Sequence, residues 1–170
     1  MKKIFDLSGL FMEYLKDMYS AEKQQIEYLP KFLPKIENSY LKKLIEQNFN
    51  DTKIHEKRIE NIFSMLKDSF HLREDLVMEE LLSRINELLK CSDNSEILDA
   101  SFISSMQNIV HYEIATYGTL RSLAATLNYQ TDIINLLKKS LEEEKYLDIE
   151  LTKLARENVN LKAKGFFLET

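Results

Sequence analysis

Residues 111–155 read HYEIATYGTLRSLAATLNYQTDIINLLKKSLEEEKYLDIELTKLA. Two apolar stripes run through this stretch and its upstream extension, and both have the period of a helix. The first comprises Phe102, Met106, Ile109, Val110, Tyr117, Leu120 and Ala124; the second comprises Ile134, Leu137, Leu141, Leu151 and Ala155. Spacings of three and four residues place each set on one helical face. The polar break at Asn128–Tyr129 lies between them. The spacing therefore predicts two long helices, from about residue 96 to 127 and from about 131 to 158, folded back on each other as a hairpin.

The N-terminal half repeats the plan. A helix over about residues 8–37 is expected from Leu15, Met18, Tyr19, Ile26, Leu29 and Leu33, with Pro30 and Pro34 kinking it or stopping it early. Asn38–Ser39 is the next break, with Ser39 as N-cap of a helix over about residues 40–67 whose stripe runs Leu41, Leu44, Ile45, Asn48, His55, Ile59, Ile62 and Leu66. Between the hairpins, EDLVMEELLSRINELLKC over residues 74–91 predicts a short helix in the connection. Two hairpins joined by one long crossover describe an all-α, ferritin-like four-helix bundle in a single domain spanning residues 1–170; an up-down-up-down bundle with a decorated loop is the alternative.

Composition agrees with helices. Three Gly and two Pro in 170 residues leave too little turn chemistry for a many-stranded sheet. Asp plus Glu outnumber Lys plus Arg by 28 to 23, a formal charge of −5, which argues against nucleic acid or an anionic membrane as partner. Charged residues at Asp6 and Glu13 interrupt the N-terminal apolar run, so no signal peptide is expected, and no stretch is apolar enough to span a bilayer. A lone cysteine, Cys91, can form no intramolecular disulfide. The expected compartment is the cytoplasm.

Each stripe carries a polar gap: Glu22 in the first helix; Asp51, Thr52 and His55 in the second; Glu113 in the third; Glu144 and Asp148 in the fourth. Counted from its hairpin turn, each gap lies roughly 15–19 residues away, or about 25 Å along the helix, apart from Asp51, which lies one turn nearer. Five carboxylates and one imidazole thus converge on one level of the core. Unpaired, such a cluster would be costly to bury, and no Lys or Arg interrupts the four stripes at that height to form a salt-bridged layer. Two divalent cations would remove the cost, and the donor types suit Fe, Mn or Zn. Tyr19, Tyr117 and His111 are candidates for supporting hydrogen bonds, although His111 points well away from Glu113 and reads foremost as a surface residue.

MYSAEKQ around Glu22, NDTKIHEKRIENIF around His55, HYEIATYGTL around Glu113 and LEEEKYLDIELTKLA around Glu144 resemble the YciF-type bacterial stress-response branch of the ferritin-like superfamily along nearly the whole chain. The resemblance implies a dimeric ferritin-like bundle with a di-iron centre, and by position it implies Glu22, Asp51, His55, Glu113, Glu144 and Asp148 as ligands. This sequence departs from the superfamily's Glu-x-x-His on the second and fourth helices, having pairs four apart at Asp51/His55 and Glu144/Asp148. Two functions follow as expectations. One is a non-haem di-iron protein handling Fe(II) with dioxygen or peroxide during stress. The other is a non-catalytic structural or interaction protein whose metal only stabilises the bundle. A homodimer is expected from apolar residues near the bundle ends, Phe11, Tyr14, Phe166 and Phe167.

Overall fold

The computed structural model describes residues 3–67, 75–92 and 94–164. Helix α1 spans Leu7–Phe32, α2 Ser39–Leu66, α3 Leu76–Cys91, α4 Ser95–Thr126, α5 Thr131–Leu154 and α6 Asn160–Ala163. Among the described residues there is no strand, and the chain is an all-α bundle.

The caps explain the boundaries. Asp6, Asn38, Asp75 and Asn94 each accept a backbone N–H from the first turn of α1, α2, α3 and α4. The cap of α2 is thus Asn38, one residue before the expected Ser39, because its Oδ1 reaches both Tyr40 N and Leu41 N at 3.0 Å. Pro30 lies within α1 and Pro34 in the 3₁₀ turn Leu33–Lys35 that follows. The 3₁₀ turn replaces the last turn of the long helix expected to residue 37, as a proline lacking its N–H would require. Asn128, with φ of 54°, makes the turn from α4 to α5, using the left-handed region that Asn tolerates better than most residues. The α5 ladder widens into one π-helical turn, Ala155–Val159, before α6.

Topology follows from which helices touch. α1 packs on α2 and α4, and α5 packs on α2 and α4, so α2 and α4 lie on opposite corners. Asp99, near the start of α4, accepts N–H bonds from Glu37 and Asn38 at 3.2 and 2.9 Å, placing that start beside the α1–α2 turn. At the other end, Ser8 Oγ lies 3.0 Å from Tyr129 Oη, joining the start of α1 to the α4–α5 turn. The chain therefore travels the length of the bundle between α2 and α4, and α3 makes that journey packed against α4 and α1. This is the arrangement with one long crossover, and not the up-down-up-down alternative, in which the second and third long helices would be neighbours.

Buried residues on the long helices alternate three and four apart: Phe11, Leu15, Met18, Glu22, Gln25, Leu29 and Phe32 on α1; Leu41, Ile45, Asn48, Thr52, His55, Ile59 and Ile62 on α2; Ile133, Leu137, Ser140, Glu144, Leu147, Leu151 and Leu154 on α5. Such a 3.5-residue repeat keeps one seam facing the bundle axis over the whole helix. Phe11, expected as surface, is fully buried with its ring edge-on to Tyr129, centroids 5.1 Å apart. Tyr14 is exposed, whereas Phe166, Phe167 and His71 lie outside the described residues.

Candidate metal centre

At mid-height the four seams deliver polar side chains to the axis. Glu22 and Gln25 come from α1, His55 from α2, Glu113 and Tyr117 from α4, and Glu144 from α5; none is more than 1% exposed. Apolar residues flank the layer, with Met18, Leu29, Ile59, Leu120 and Leu151 buried, although Thr52 and Asn48 on α2 and Ser140 on α5 are buried beside it as well.

Two neutral groups anchor the carboxylates. The Tyr117 hydroxyl donates to Glu22 Oε1 at 2.5 Å, and Gln25 Nε2 donates to Glu113 Oε1 at 2.6 Å. Glu113 and Glu144 lie close enough for each carboxyl to act on the other's proton affinity. Burial and the charges of Glu144 and Glu22 hold the Glu113 carboxyl well above the usual range. Burial likewise raises Glu144 to about 8, against the pull of His55. His55 Nδ1 faces Glu22 Oε1 at 3.3 Å and Glu144 Oε1 at 3.7 Å, and Nε2 lies 2.8 Å from Glu143 Oε2. Burial alone would lower the His55 pKa, but Glu22, Glu143 and Glu144 together outweigh it and raise it to about 10.

Four of the six expected ligands thus meet: Glu22, His55, Glu113 and Glu144. Asp51 and Asp148 do not join them. Asp51 accepts from Gln47 at 2.9 Å on the outside of α2, and Asp148 accepts from Gln107 and His111 at 3.1 and 3.0 Å between α4 and α5. The reason is the seam. Stepping from His55 toward the α1–α2 turn, the next inward residue is three away, at Thr52, and stepping on from Glu144 it is three away, at Leu147. A residue four away falls off the axis at those two points. Of the supporting candidates, Tyr117 touches the layer, whereas Tyr19 donates to Glu60 at 2.9 Å and His111 is exposed beside Asp148.

Three participants were not visible as such in the sequence. Gln25 lies on the α1 seam where Ile26 was expected. Glu143 and Arg58 interrupt no apolar stripe and carry no signal of their own. Arg58 grips Glu143 with both guanidinium nitrogens, one at 2.9 Å, and also donates to Ser140 Oγ at 3.1 Å. The expectation that no cation stands at this height is corrected by Arg58, which reaches the rim of the layer from one turn beyond His55. A partner search at i+3 from His55 and at the neighbours of Glu144 would have raised both residues.

Among the described residues, the buried polar atoms without a hydrogen-bond partner are Glu22 Oε2, Glu113 Oε2, Glu144 Oε2, His55 Nδ1 and Gln25 Oε1, together with Asn48 Oδ1. Four of these are carboxyl or imidazole atoms from four different helices, the kind of atoms a divalent cation takes once they are deprotonated. Among the described residues, however, no group of three or more His, Cys, Asp and Glu is already drawn together as a metal site. The residues therefore fit a cation in donor type. They fit two less well: the full dinuclear scheme has a Glu on each of two helices and Glu-x-x-His on each of the others, and here Thr52 and Leu147 stand in for a Glu and a His.

The model of a family described as a domain of unknown function (DUF892) matches residues 6–164. Protein YciF of Escherichia coli (strain K12) is 38% identical over 163 residues, covering 94% of this chain and 96% of that protein. The crystal structure of the E. coli stress protein YciF superposes with a TM-score of 0.83 at 35% identity, covering 92% of this chain and 99% of the other. YcfI of Rhodopseudomonas palustris, described as a candidate structural protein, gives a TM-score of 0.85 at 28% identity over 89% of this chain and 96% of its own. Among the described residues no helix is long and apolar enough to cross a membrane.

Proposed function

This chain belongs to the DUF892 family and is YciF-like over nearly its whole length, and from that premise we propose that it is a non-haem metal-carboxylate protein, with iron the foremost candidate and Mn or Zn the others. The observation that carries the reading is the set of partnerless buried donors on four helices: Glu22 Oε2, His55 Nδ1, Glu113 Oε2 and Glu144 Oε2. These residues would hold the cation, and iron bound there would supply electron-transfer chemistry toward dioxygen or peroxide. The chain's own part is to hold its donors still and buried. Tyr117 fixes Glu22, and Gln25 fixes Glu113. Four protein donors suffice for one cation. A pair, as in the di-iron scheme, would have to draw on the same four residues, because Thr52 and Leu147 stand where that scheme has a Glu and a His. We further propose that this serves a stress response, as the description of the E. coli relative suggests.

A second reading has its own observation. Protonation of Glu113, favoured by its burial, and the Arg58–Glu143–His55 chain neutralise much of the layer without any metal, so it could serve as a polar register pin in a structural protein. Metal analysis of protein purified without added metal, repeated after anaerobic addition of Fe(II) and then air, separates the two. The metal reading expects stoichiometric retained iron, Mn or Zn, with iron oxidation or peroxide consumption faster than by free iron. Metal-free protein that takes up none on addition would sink it.

A further inference from the structure

Glu143 is unlike its neighbour Glu144: its side chain is 37% exposed, yet one of its oxygens bonds a fully buried histidine. It lines a groove of about 1110 Å³ between α2 and α5, whose walls carry charges of both signs, Asp51, Asp132 and Glu142 with Lys138 and Lys139. Its carboxylate accepts from both Arg58 guanidinium nitrogens, the pairing of an ionised carboxylate. A carboxylate without a proton can only accept, so the hydrogen in the His55–Glu143 bond is on Nε2. That leaves Nδ1 as the atom facing Glu22 and Glu144, at 3.3 and 3.7 Å. Glu143 is in turn fixed by the two-pronged Arg58 grip, and Arg58 by Ser140.

We infer that Glu143 is the positioning residue of the layer: held by Arg58, it fixes the ring of His55 so that Nδ1 points at the carboxylates, and it forms the point where the α2–α5 groove meets the buried donors. The inference rests on the metal reading for its purpose, but not for its geometry. A carboxylate behind a histidine orients the ring and raises its basicity as a ligand, and removing such a partner costs about 10–100-fold in metal affinity.

The test uses the full chain as wild type, Glu143→Ala and Glu143→Gln, with Mn(II) alone as probe. Two quantities are read: Mn(II) affinity, and in the metal-free protein the solvent exchange of the His55 Nε2–H by ring ¹H–¹⁵N correlation. Gln keeps an oxygen that can accept from Nε2–H. Glu143→Ala should lose the slowly exchanging ring proton and bind Mn(II) about 10–100-fold more weakly, while Glu143→Gln keeps the proton and most of the affinity. An Ala variant with wild-type exchange and wild-type affinity would overturn the inference. If wild type binds no Mn(II) but the Ala variant still loses the protected proton, the positioning role stands and the metal reading falls. Both variants are surface-accessible changes, and their thermal unfolding checks that each remains folded.

Discussion

At the scale of single residues, the layer is a set of donors held by neutral partners, and each partner can be removed separately. Glu22→Ala and Glu113→Ala should abolish or sharply weaken metal binding while leaving the protein folded, because Ala favours helix and takes away a buried acid that must otherwise be neutralised. Metal analysis with far-ultraviolet circular dichroism checks both halves, and unchanged stoichiometry in the two variants would displace the site. Tyr117→Phe is subtler. It removes one hydroxyl whose bond goes to the Glu22 carboxylate at 2.5 Å in a fully buried setting, and its ring contact with His55, centroids 5.7 Å apart, survives. Bonds to charged groups contribute about 1.5–3 kcal/mol, so denaturant unfolding of the metal-free variant should show a loss of that order. Bound metal should mask part of that loss, since a cation gives Glu22 another partner.

At the scale of the helix, the seam decides which polar residue counts. The helices and the crossover were legible in sequence because apolar spacing over four long segments leaves few alternatives. Glu22, His55, Glu113 and Glu144 were legible because each interrupts a stripe at a matched height. Asp51 and Asp148 were misplaced for one physical reason: a partner four residues away was accepted as equivalent to one three away, and the alternating seam admits only Thr52 and Leu147 at those turns. Gln25 was passed over because Ile26 is apolar and sits beside it, and only packing shows that Gln25 is fully buried while Ile26 is not. Glu143 and Arg58 escaped because their roles depend on a pairing between α2 and α5 that no single helix displays. The seam makes a prediction of its own. Thr52→Glu adds a carboxylate to the axis where the dinuclear scheme has one, so the metal-free variant should lose about 1–3 kcal/mol to the buried acid. Excess Mn(II) should restore that stability and raise the bound metal per chain relative to wild type. Equal stoichiometry would mean that the axis at Thr52 lies too far from the other donors.

At the scale of the whole molecule, association and pH response can be argued from surface and charge. Phe11 no longer supports a dimer, being buried, but Phe5 is 87% exposed, Ile4, Leu7 and Tyr14 are exposed nearby at the start of α1, and Leu76 and Val77 are exposed on α3. Apolar surface of this kind leads us to expect a homodimer, and a sedimentation mass near 20 kDa at micromolar concentration would contradict it. The pH response follows from four buried or half-buried groups. In the metal-free protein Glu144 is raised from 4.5 to about 8, chiefly by burial, and Glu113 is raised well above 4.5 for the same reason. Folded protein therefore holds protons that unfolded chain releases, so their contribution is fully present below 4.5 and is lost as pH rises through about 8. His55, raised from 6.5 to about 10, adds a contribution lost over that higher interval. Glu143, lowered to about 2, acts oppositely: its contribution is present above 4.5 and lost as pH falls toward 2. Metal-free protein should accordingly be most stable near about pH 5 and decline steadily to pH 8. A cation must displace the protons on Glu113, Glu144 and His55, so binding at pH 7 should release about two or more protons, measurable by calorimetry in buffers of different ionisation enthalpy. The same displacement makes binding tighter as pH rises, and a ligand at about 100 times its Kd stabilises the native state by about 2.7 kcal/mol. Anaerobic thermal unfolding with and without Mn(II) should then show a gain in Tm that widens from pH 5 to pH 8, opposite in sign to the metal-free trend. A gain independent of pH would place the cation outside the buried layer.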